Sequence, residues 1–208
     1  MDYILATHAH ADHIDGLNAV ARNFKVRAAF VGRAPARDSE YARFAATALA
    51  EGVPVYFINR GDRLRIGGVT LDALWPPRVG EMEDAPSGND DSIVLRLRFG
   101  ERTFLFTGDI EHGAEAALVG AGDELGCDVV KVAHHGSRTS STDAFVAATH
   151  PTIAIISVGL TSPFGHPNTE VVERWRESGA EVLTTGGSGT ISISTDGHDL
   201  EMKRYVHD

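Results

Sequence analysis

The sequence has little cysteine. Cys127 is the only one among 208 residues, so no intramolecular disulfide bond can form. This thiol falls at the start of a predicted core strand, where we expect it to be buried and unreactive. With 42% hydrophobic residues, the chain is long enough for one α/β domain with its own core. We therefore expect a single domain over residues 1–208 that is stabilised by packing.

Long apolar segments are also absent. No run approaches the roughly 20 residues that a helix needs to span a bilayer. Residues 1–6 lack the cationic start and the long apolar centre of a secretory signal. The sequence therefore predicts a soluble chain.

Positive charge is scarce. The 19 Lys and Arg residues are outnumbered by 29 Asp and Glu, which gives a net charge of −10. Proteins that bind nucleic acid tightly usually have a basic surface, because contacts to phosphate supply much of the affinity. The charge therefore argues against a nucleic-acid substrate, although two bound divalent ions would add about four positive charges at a site.

The sequence is instead rich in metal-binding side chains directly after its first apolar segment, Tyr3 to Ala6. His8, His10, Asp12 and His13 fall within six residues. At the end of an extended segment, His8 and His10 can lie on the same side of the backbone and share one ion. Asp12 and His13 follow where the chain turns, so they can reach a second ion. The motif therefore predicts a two-metal centre.

Two-metal centres hold their ions roughly 3.5 to 4 Å apart, lower the pKa of a shared water and bind both the attacking and the leaving oxygen. The chemistry that this motif predicts is hydrolysis. The alternative is a group of exposed histidines on a strand-to-helix loop, with Asp12 or Asp15 capping a helix that begins near Gly16.

Three later strands also end in residues that can bind metal. The strands and the residues after them are Phe104 to Phe106 with Thr107-Gly108-Asp109, Val129 to Ala133 with His134-His135-Gly136-Ser137, and Ile153 to Val158 with Gly165-His166-Pro167. Taken alone, each group has an ordinary explanation as a turn, a polar loop or a helix cap. Together with the first motif, they indicate one site at the ends of several strands.

Periodicity predicts helices at Gly16 to Asn23 and Ser39 to Ala50, among others, in alternation with strands. The glycine-rich segment Gly186 to Gly189 lies between two predicted strands of the second sheet. It lacks a following lysine or helix, so we interpret it as a hairpin turn and not as a phosphate-binding loop.

The sequence resembles the metallo-β-lactamase superfamily in three motifs, which are His8-Ala9-His10-Ala11-Asp12-His13, Thr107-Gly108-Asp109 and His134-His135-Gly136-Ser137. Within that superfamily it is most similar to the hydrolase domain of ComEC-type DNA-uptake (competence) proteins. This finer resemblance depends on Asn89 to Leu95, Lys131 to Ser137, and Ile156 to Gly159 with Gly165-His166-Pro167.

The resemblance implies a four-layer αββα sandwich with a binuclear site at one edge of its two sheets. It implies that His8 and His10 bind one metal, that Asp12, His13 and His134 bind the other, and that Asp109 bridges them. The catalytic residues would be Asp12, Asp109 and His166, and the groups that support the site or contact the substrate would be Asn89, Asp91, His135 and Ser137.

The sequence departs from the superfamily pattern in two places. Many members have a further histidine ligand before the Gly-Asp strand, where this chain has Asn89, Asp90 and Asp91. An oxygen-rich site binds Mn²⁺ or Mg²⁺ relatively better than an all-imidazole site, so zinc and manganese both remain open. Only Met1 to Ala6 precede the first motif, so we expect the first strands of the N-terminal sheet to be lacking or supplied by something else, which leaves an exposed edge.

The expected function is that of a hydrolase with two divalent metal ions, and the competence-type resemblance implies a phosphodiesterase or nuclease that acts on DNA. One alternative is hydrolysis of small esters, lactones, β-lactams or phosphocholine esters, because fold does not settle substrate. A non-catalytic metal-binding or interaction domain is another. ComEC-type proteins carry this domain beside a membrane channel, so both a cytoplasmic protein and an extracytoplasmic domain of a membrane-associated uptake system fit the resemblance.

Overall fold

The computed structural model describes residues 1–33, 38–78, 80 and 88–205. The strands are β1 (Tyr3–Ala6), β2 (Ala28–Val31), β3 (Val55–Phe57), β4 (Arg63–Ile66), β5 (Val69–Trp75), β6 (Val94–Phe99), β7 (Arg102–Phe106), β8 (Val129–Lys131), β9 (Ile153–Ile156), β10 (Glu181–Thr184), β11 (Thr190–Thr195) and β12 (Leu200–Tyr205). The main helices are α1 (Ala11–Asn23), α2 (Ser39–Ala50), α3 (His112–Gly120), α4 (Asp143–Thr149) and α5 (Thr169–Glu177). Within these ranges, no helix has the length and apolar character needed to cross a membrane.

In the described residues, β1, β2 and β3 form a small parallel sheet in that order. Helices α1 and α2 cover one face of it, where Ile14 and Phe44 pack with Ile4 and Ala29. The other face meets the large sheet through a second apolar cluster, in which Phe30 packs against residues of β5 and β6. The small sheet therefore lies between two helices and the large sheet.

The large sheet has the order β10-β9-β8-β7-β6-β5-β4 in the described part of the chain. Its outer face is covered by α3, α4 and α5, which contribute Leu118, Phe145 and Trp175 to the largest core cluster. The antiparallel pair β11 and β12 packs against the inner face near β8 to β10. These layers confirm the αββα sandwich expected from the resemblance.

Both outer strands of the small sheet, β1 and β3, are edge strands among the described residues. Strand β1 pairs with β2 alone among the described strands. An apolar groove of about 290 Å³ lies between β1 and the large sheet. At the centre of the large sheet, Phe106 lines both this groove and a second one beside β11, and it is 40% exposed.

The predicted start of the first helix is wrong. Helix α1 begins at Ala11 and not near Gly16, because the carbonyl oxygen of His10 accepts hydrogen bonds from the backbone N–H groups of His13 and Ile14 at 3.0 Å. No side chain caps this end, so the usual signal of a helix start is missing from the sequence. The consequence is that Asp12 and His13 lie on the first turn of a helix.

The expected hairpin at Gly186 to Gly189 is also wrong. Thr185–Ser188 form a short helical turn, which leads from β10 in the large sheet to β11 in the separate two-stranded sheet. A Cβ atom on Gly186 would lie 2.7 Å from the backbone nitrogen of Leu160, so glycine permits a close approach to the segment after β9. The predicted helix at Ser39 to Ala50, by contrast, is confirmed.

Candidate metal centre

Four side chains meet at the edge of the sandwich where β7 and β8 end. Asp12 and His13 come from the first turn of α1, Asp109 follows β7, and His135 follows β8. One potential ligand atom from each lies within 4.8 Å of the others. The Oδ2 atom of Asp109 is 3.1 Å from His13 Nε2 and 3.3 Å from His135 Nε2. Side chains from α1 and from the turn after β8 therefore surround the buried carboxylate of Asp109.

The backbone after β8 decides which histidine joins this group. His134 and His135 both adopt left-handed conformations, with φ of 45° and 53°. The resulting tight turn brings His135 Nε2 to 3.4 Å from Asp12 Oδ2, whereas His134 Nδ1 lies 3.1 Å from Glu111 Oε1. Within the described residues, His135 and not His134 therefore lies against Asp12 and Asp109, and the role of His134 as a ligand stays a prediction.

His8 and His10 lie beside this group. The His8 ring centroid is 4.6 Å from that of His10 and 4.3 Å from that of His13. The Nδ1 atom of His8 is 3.1 Å from both Thr7 Oγ1 and Ser92 Oγ, and either hydroxyl can accept its proton. Its buried Nε2 atom has no hydrogen-bond partner within the described residues. His8 therefore presents an unused nitrogen beside the cluster.

The contacts of His135 require a proton or a metal ion on its Nε2 atom. Its Nδ1 atom is 2.7 Å from the carbonyl oxygen of Ser157, which can only accept, so Nδ1 carries the proton. In the neutral ring, the lone pair of Nε2 then faces the carboxylate oxygens of Asp12 and Asp109, which is unfavourable without a proton or a metal ion between them. Imidazole and carboxylate ligands of this kind fit Zn²⁺ or Mn²⁺.

The electrostatic environment gives two of these groups the charge state that metal ligation needs. Burial opposes ionisation of Asp109, but hydrogen bonds from His13 and His135 and the charge of Lys131 outweigh it and hold the pKa of this carboxyl well below its usual range. Burial, reinforced by the neighbouring His13, lowers the pKa of His8 to about 3. At neutral pH, Asp109 is therefore anionic and His8 is neutral.

We expect the low pKa of His8 to make the metal-free protein sensitive to acid. Below pH 6.5, the unfolded chain binds a proton at His8 that the folded protein does not bind until about pH 3. The free energy of unfolding should therefore fall by up to about 1.4 kcal/mol per pH unit as the pH drops through this range. Urea unfolding in EDTA at several pH values measures this slope.

The variant His8→Asn keeps a polar group near Ser92 and lacks the titrating ring, so its stability should depend less steeply on pH. The exposed His198→Asn is the matched control and should retain the wild-type slope. Parallel slopes for wild type and His8→Asn would contradict the prediction.

Two residues without a predicted role hold Asp109 in place. Lys131 Nζ lies 3.2 Å from Asp109 Oδ1 and donates to the carbonyl oxygen of Gly108 at 2.8 Å. Ser92 Oγ accepts a hydrogen bond from the backbone N–H of Asp109 at 2.9 Å, and so links Asp109 to His8. A charged residue within the apolar segment Val129 to Ala133 is a signal that could have identified Lys131.

Glu111 also has no predicted role, yet it organises the side of the site next to His134. Its Oε1 atom accepts hydrogen bonds from Thr139 Oγ1 at 2.6 Å and Asn89 Nδ2 at 3.2 Å. Ser137 is buried, and its hydroxyl is 3.0 Å from that of Thr139. Asn89 and Ser137 thus belong to a network around His134.

The two remaining predicted residues lie on different sides of the site. Asp91 is buried, burial raises its pKa to about 6, and its Oδ1 atom is 3.8 Å from Arg33 Nε. The ring centroid of His166 is 5.6 Å from that of His134, and burial lowers the pKa of His166. Their roles in supporting the site or contacting substrate remain predictions.

Most of the chain matches a known protein family in sequence. Residues 1–160 match the sequence model of the metallo-beta-lactamase superfamily. The chain is 30% identical over 191 residues to ComE operon protein 3 of Bacillus subtilis (strain 168), which covers 92% of this chain and 24% of that protein. It is 33% identical over 138 residues to competence protein ComA of Neisseria gonorrhoeae, which covers 66% of this chain and 19% of that protein. The chain thus spans about a quarter or less of the length of these relatives.

Solved structures share the fold at low sequence identity. A putative metal-dependent hydrolase from Parabacteroides distasonis is 17% identical with a TM-score of 0.56, over 89% of this chain and 76% of that one. CmlA, a diiron β-hydroxylase from Streptomyces venezuelae, is 17% identical with a TM-score of 0.60, over 99% of this chain and 45% of that one. At this level of identity the likeness concerns the fold alone.

Proposed function

Because the chain belongs to the metallo-β-lactamase superfamily, we propose that it is a metal-dependent phosphodiesterase that hydrolyses DNA. The observation that carries the proposal is the convergence of Asp12, His13, Asp109 and His135 within 4.8 Å. Its similarity to a relative that is named as a competence protein supports DNA as the substrate.

The residues of the chain prepare the site for a phosphodiester. Divalent metal ions bound there would lower the pKa of a coordinated water and neutralise charge on phosphate. Lys131 contacts Oδ1 of Asp109, so that Oδ2 faces His13 and His135. The hydrogen bond between His135 Nδ1 and the carbonyl oxygen of Ser157 fixes the ring with Nε2 directed at the centre.

His166 is the proposed group for the leaving oxygen. It lies on the outer side of His134 and is partly exposed, so its ring can meet a bound substrate. Its lowered pKa keeps it neutral near pH 7, and a neutral imidazole can donate a hydrogen bond. Ser137 is less suited to this role, because its hydroxyl is buried against Thr139.

The proposal is tested by digestion of linear and single-stranded DNA in the presence of Mn²⁺. We expect cleavage by the wild type and loss of cleavage in the double variant Asp12→Ala, His13→Ala, which removes two of the four converging groups. The double variant Asp2→Ala, His198→Ala removes the same two kinds of side chain at exposed positions outside the group and should cleave like the wild type.

Intact DNA in every reaction would reject the proposed substrate. A panel of chromogenic phosphodiester, ester and β-lactam substrates then distinguishes other hydrolases from one another. If Mn²⁺ or Zn²⁺ raises the thermal stability of the wild type but not of Asp12→Ala, His13→Ala, and no substrate is hydrolysed, the chain is a non-catalytic metal-binding domain.

A further inference from the structure

The segment between β9 and α5, residues 157–168, places two large apolar side chains in solvent. Leu160 is 82% exposed and Phe164 is 80% exposed. The same segment contributes the carbonyl oxygen of Ser157 that orients His135. Of the two, Phe164 has a ring contact that leads toward the metal centre, through His166.

The Phe164 ring continues a series of rings that begins at the metal centre. The centroids of Phe164 and His166 are 6.1 Å apart with the ring planes inclined by 28°, which is a stacked arrangement. His166 is 5.6 Å from His134, and His134 is 6.3 Å from His135. Phe164 therefore lies at the outer end of this series, with most of its surface open to solvent.

The turn that carries Phe164 is held by hydrogen bonds. Ser162 Oγ accepts from the backbone N–H groups of both Phe164 and His166 at 3.3 Å, and the N–H of Gly165 donates to the carbonyl oxygen of Ser162 at 3.2 Å. The N–H of Asn168 donates to the carbonyl oxygen of Gly136 at 2.8 Å, which ties the end of the segment to the turn after β8. A ring presented in this way loses little conformational freedom when a ligand binds.

We propose that Phe164, stacked on His166, is a platform for a nucleobase of single-stranded nucleic acid whose phosphodiester reaches the metal centre, an inference that rests on the proposed function. Every base has a π face, so stacking on an aromatic side chain binds single strands without sequence preference. In a duplex the base faces are already stacked, so the platform selects single strands or frayed ends.

The charge of the protein makes such a platform useful. With a net charge of −10, the chain gains little from general attraction to phosphate. Stacking on a neutral ring needs no net positive charge, so it does not depend on a basic surface. Stacking on Phe164 would therefore add affinity for a polyanion. It would also distinguish nucleic acid, which has bases, from phosphodiesters that lack them.

The test compares two phosphorothioate chains, which resist hydrolysis. One is a short fluorescent oligothymidylate, and the other has the same length and backbone but lacks bases. Fluorescence anisotropy with the Mn²⁺-loaded protein gives the dissociation constants. We expect Phe164→Ala to weaken binding of oligothymidylate by about fivefold or more and to leave binding of the abasic chain unchanged. Phe164→Trp should restore binding, and the control Leu49→Ala, which removes an 82% exposed apolar side chain from α2, should bind like the wild type.

The outcomes separate this inference from the proposed function. The platform is overturned if wild type and Phe164→Ala bind oligothymidylate equally well. It is also overturned if Phe164→Ala loses the same affinity for oligothymidylate and for the abasic chain. Both conclusions hold even if ordinary DNA is cleaved. Failure of the wild type to bind either chain overturns the platform as well. Binding that depends on both the bases and Phe164, without cleavage of ordinary DNA, supports the platform and rejects the phosphodiesterase. The high exposure of Phe164 means that Phe164→Ala should keep the wild-type melting temperature, which serves as the folding control.

Discussion

Replacing Asp109 by asparagine is expected to lower the affinity for divalent metal by more than about 100-fold, because even the loss of a group that supports a ligand costs about 10- to 100-fold. Asp109 is 2% exposed, and its Oδ2 atom faces both His13 and His135. The amide of asparagine has the same shape but no negative charge. Isothermal titration with Mn²⁺ and Zn²⁺ measures the change, and metal-dependent cleavage of DNA should be lost with it.

The matched control is Asp2→Asn, which makes the same chemical change before the first residue of β1, at the opposite end of that strand from His8. Asp2 pairs with Arg27 on the surface, where an ion pair contributes little to stability. This variant should bind metal like the wild type. Wild-type affinity in Asp109→Asn would show that Asp109 is not a ligand.

Replacing Gly108 by alanine should damage both the fold and the site. Gly108 has a φ of +55°, and a Cβ atom there would lie 2.6 Å from the Cβ atom of Ser92 and 3.2 Å from that of Thr7. Left-handed backbone and overpacking together should lower the free energy of unfolding by about 3 kcal/mol. Because Ser92 binds the backbone N–H of Asp109, relief of this collision should also move the carboxylate and weaken metal binding.

The variant Gly52→Ala distinguishes the cost of the left-handed backbone from the cost of the overpacking. Gly52 has a similar φ of +68°, but its Cβ atom would meet no atom within 4 Å. This control should cost about 1 kcal/mol, the contribution of the backbone alone, and should leave metal affinity unchanged. Denaturant unfolding of both variants, followed by metal titration, tests the prediction. If Gly108→Ala were no less stable than Gly52→Ala, the collision with Ser92 would be relieved without cost.

Several strand positions and the ligand types could be predicted because both depend on local patterns, whereas the αββα sandwich was expected from the resemblance to the superfamily. Apolar segments that end in His or Asp indicate strands whose ends carry ligands, and the ends of parallel neighbours lie at one edge of a sheet. For this reason Asp109 and the pair His134 and His135 were expected near the first motif, and the structure brings them to that edge.

The start of α1 shows where local patterns fail. Helix starts are predicted from capping side chains, and here the backbone of His10 starts the helix without one. The buried side chain of Ile14 packs against the small sheet, which favours an early start through tertiary contact. Such contacts are not visible in a window of sequence.

By itself, the sequence determined that helices alternate with strands and that histidines and aspartates follow several strands, because hydrophobic periodicity and ligand spacing are properties of neighbouring residues. The sandwich was expected from the resemblance to the metallo-β-lactamase superfamily. Tertiary structure alone decided that His135 and not His134 faces Asp109, since two left-handed residues set the direction of both side chains. It also decided that Lys131 and Ser92 fix Asp109. Those contacts join residues 17 to 23 positions apart, and only the folded backbone brings them within hydrogen-bond distance.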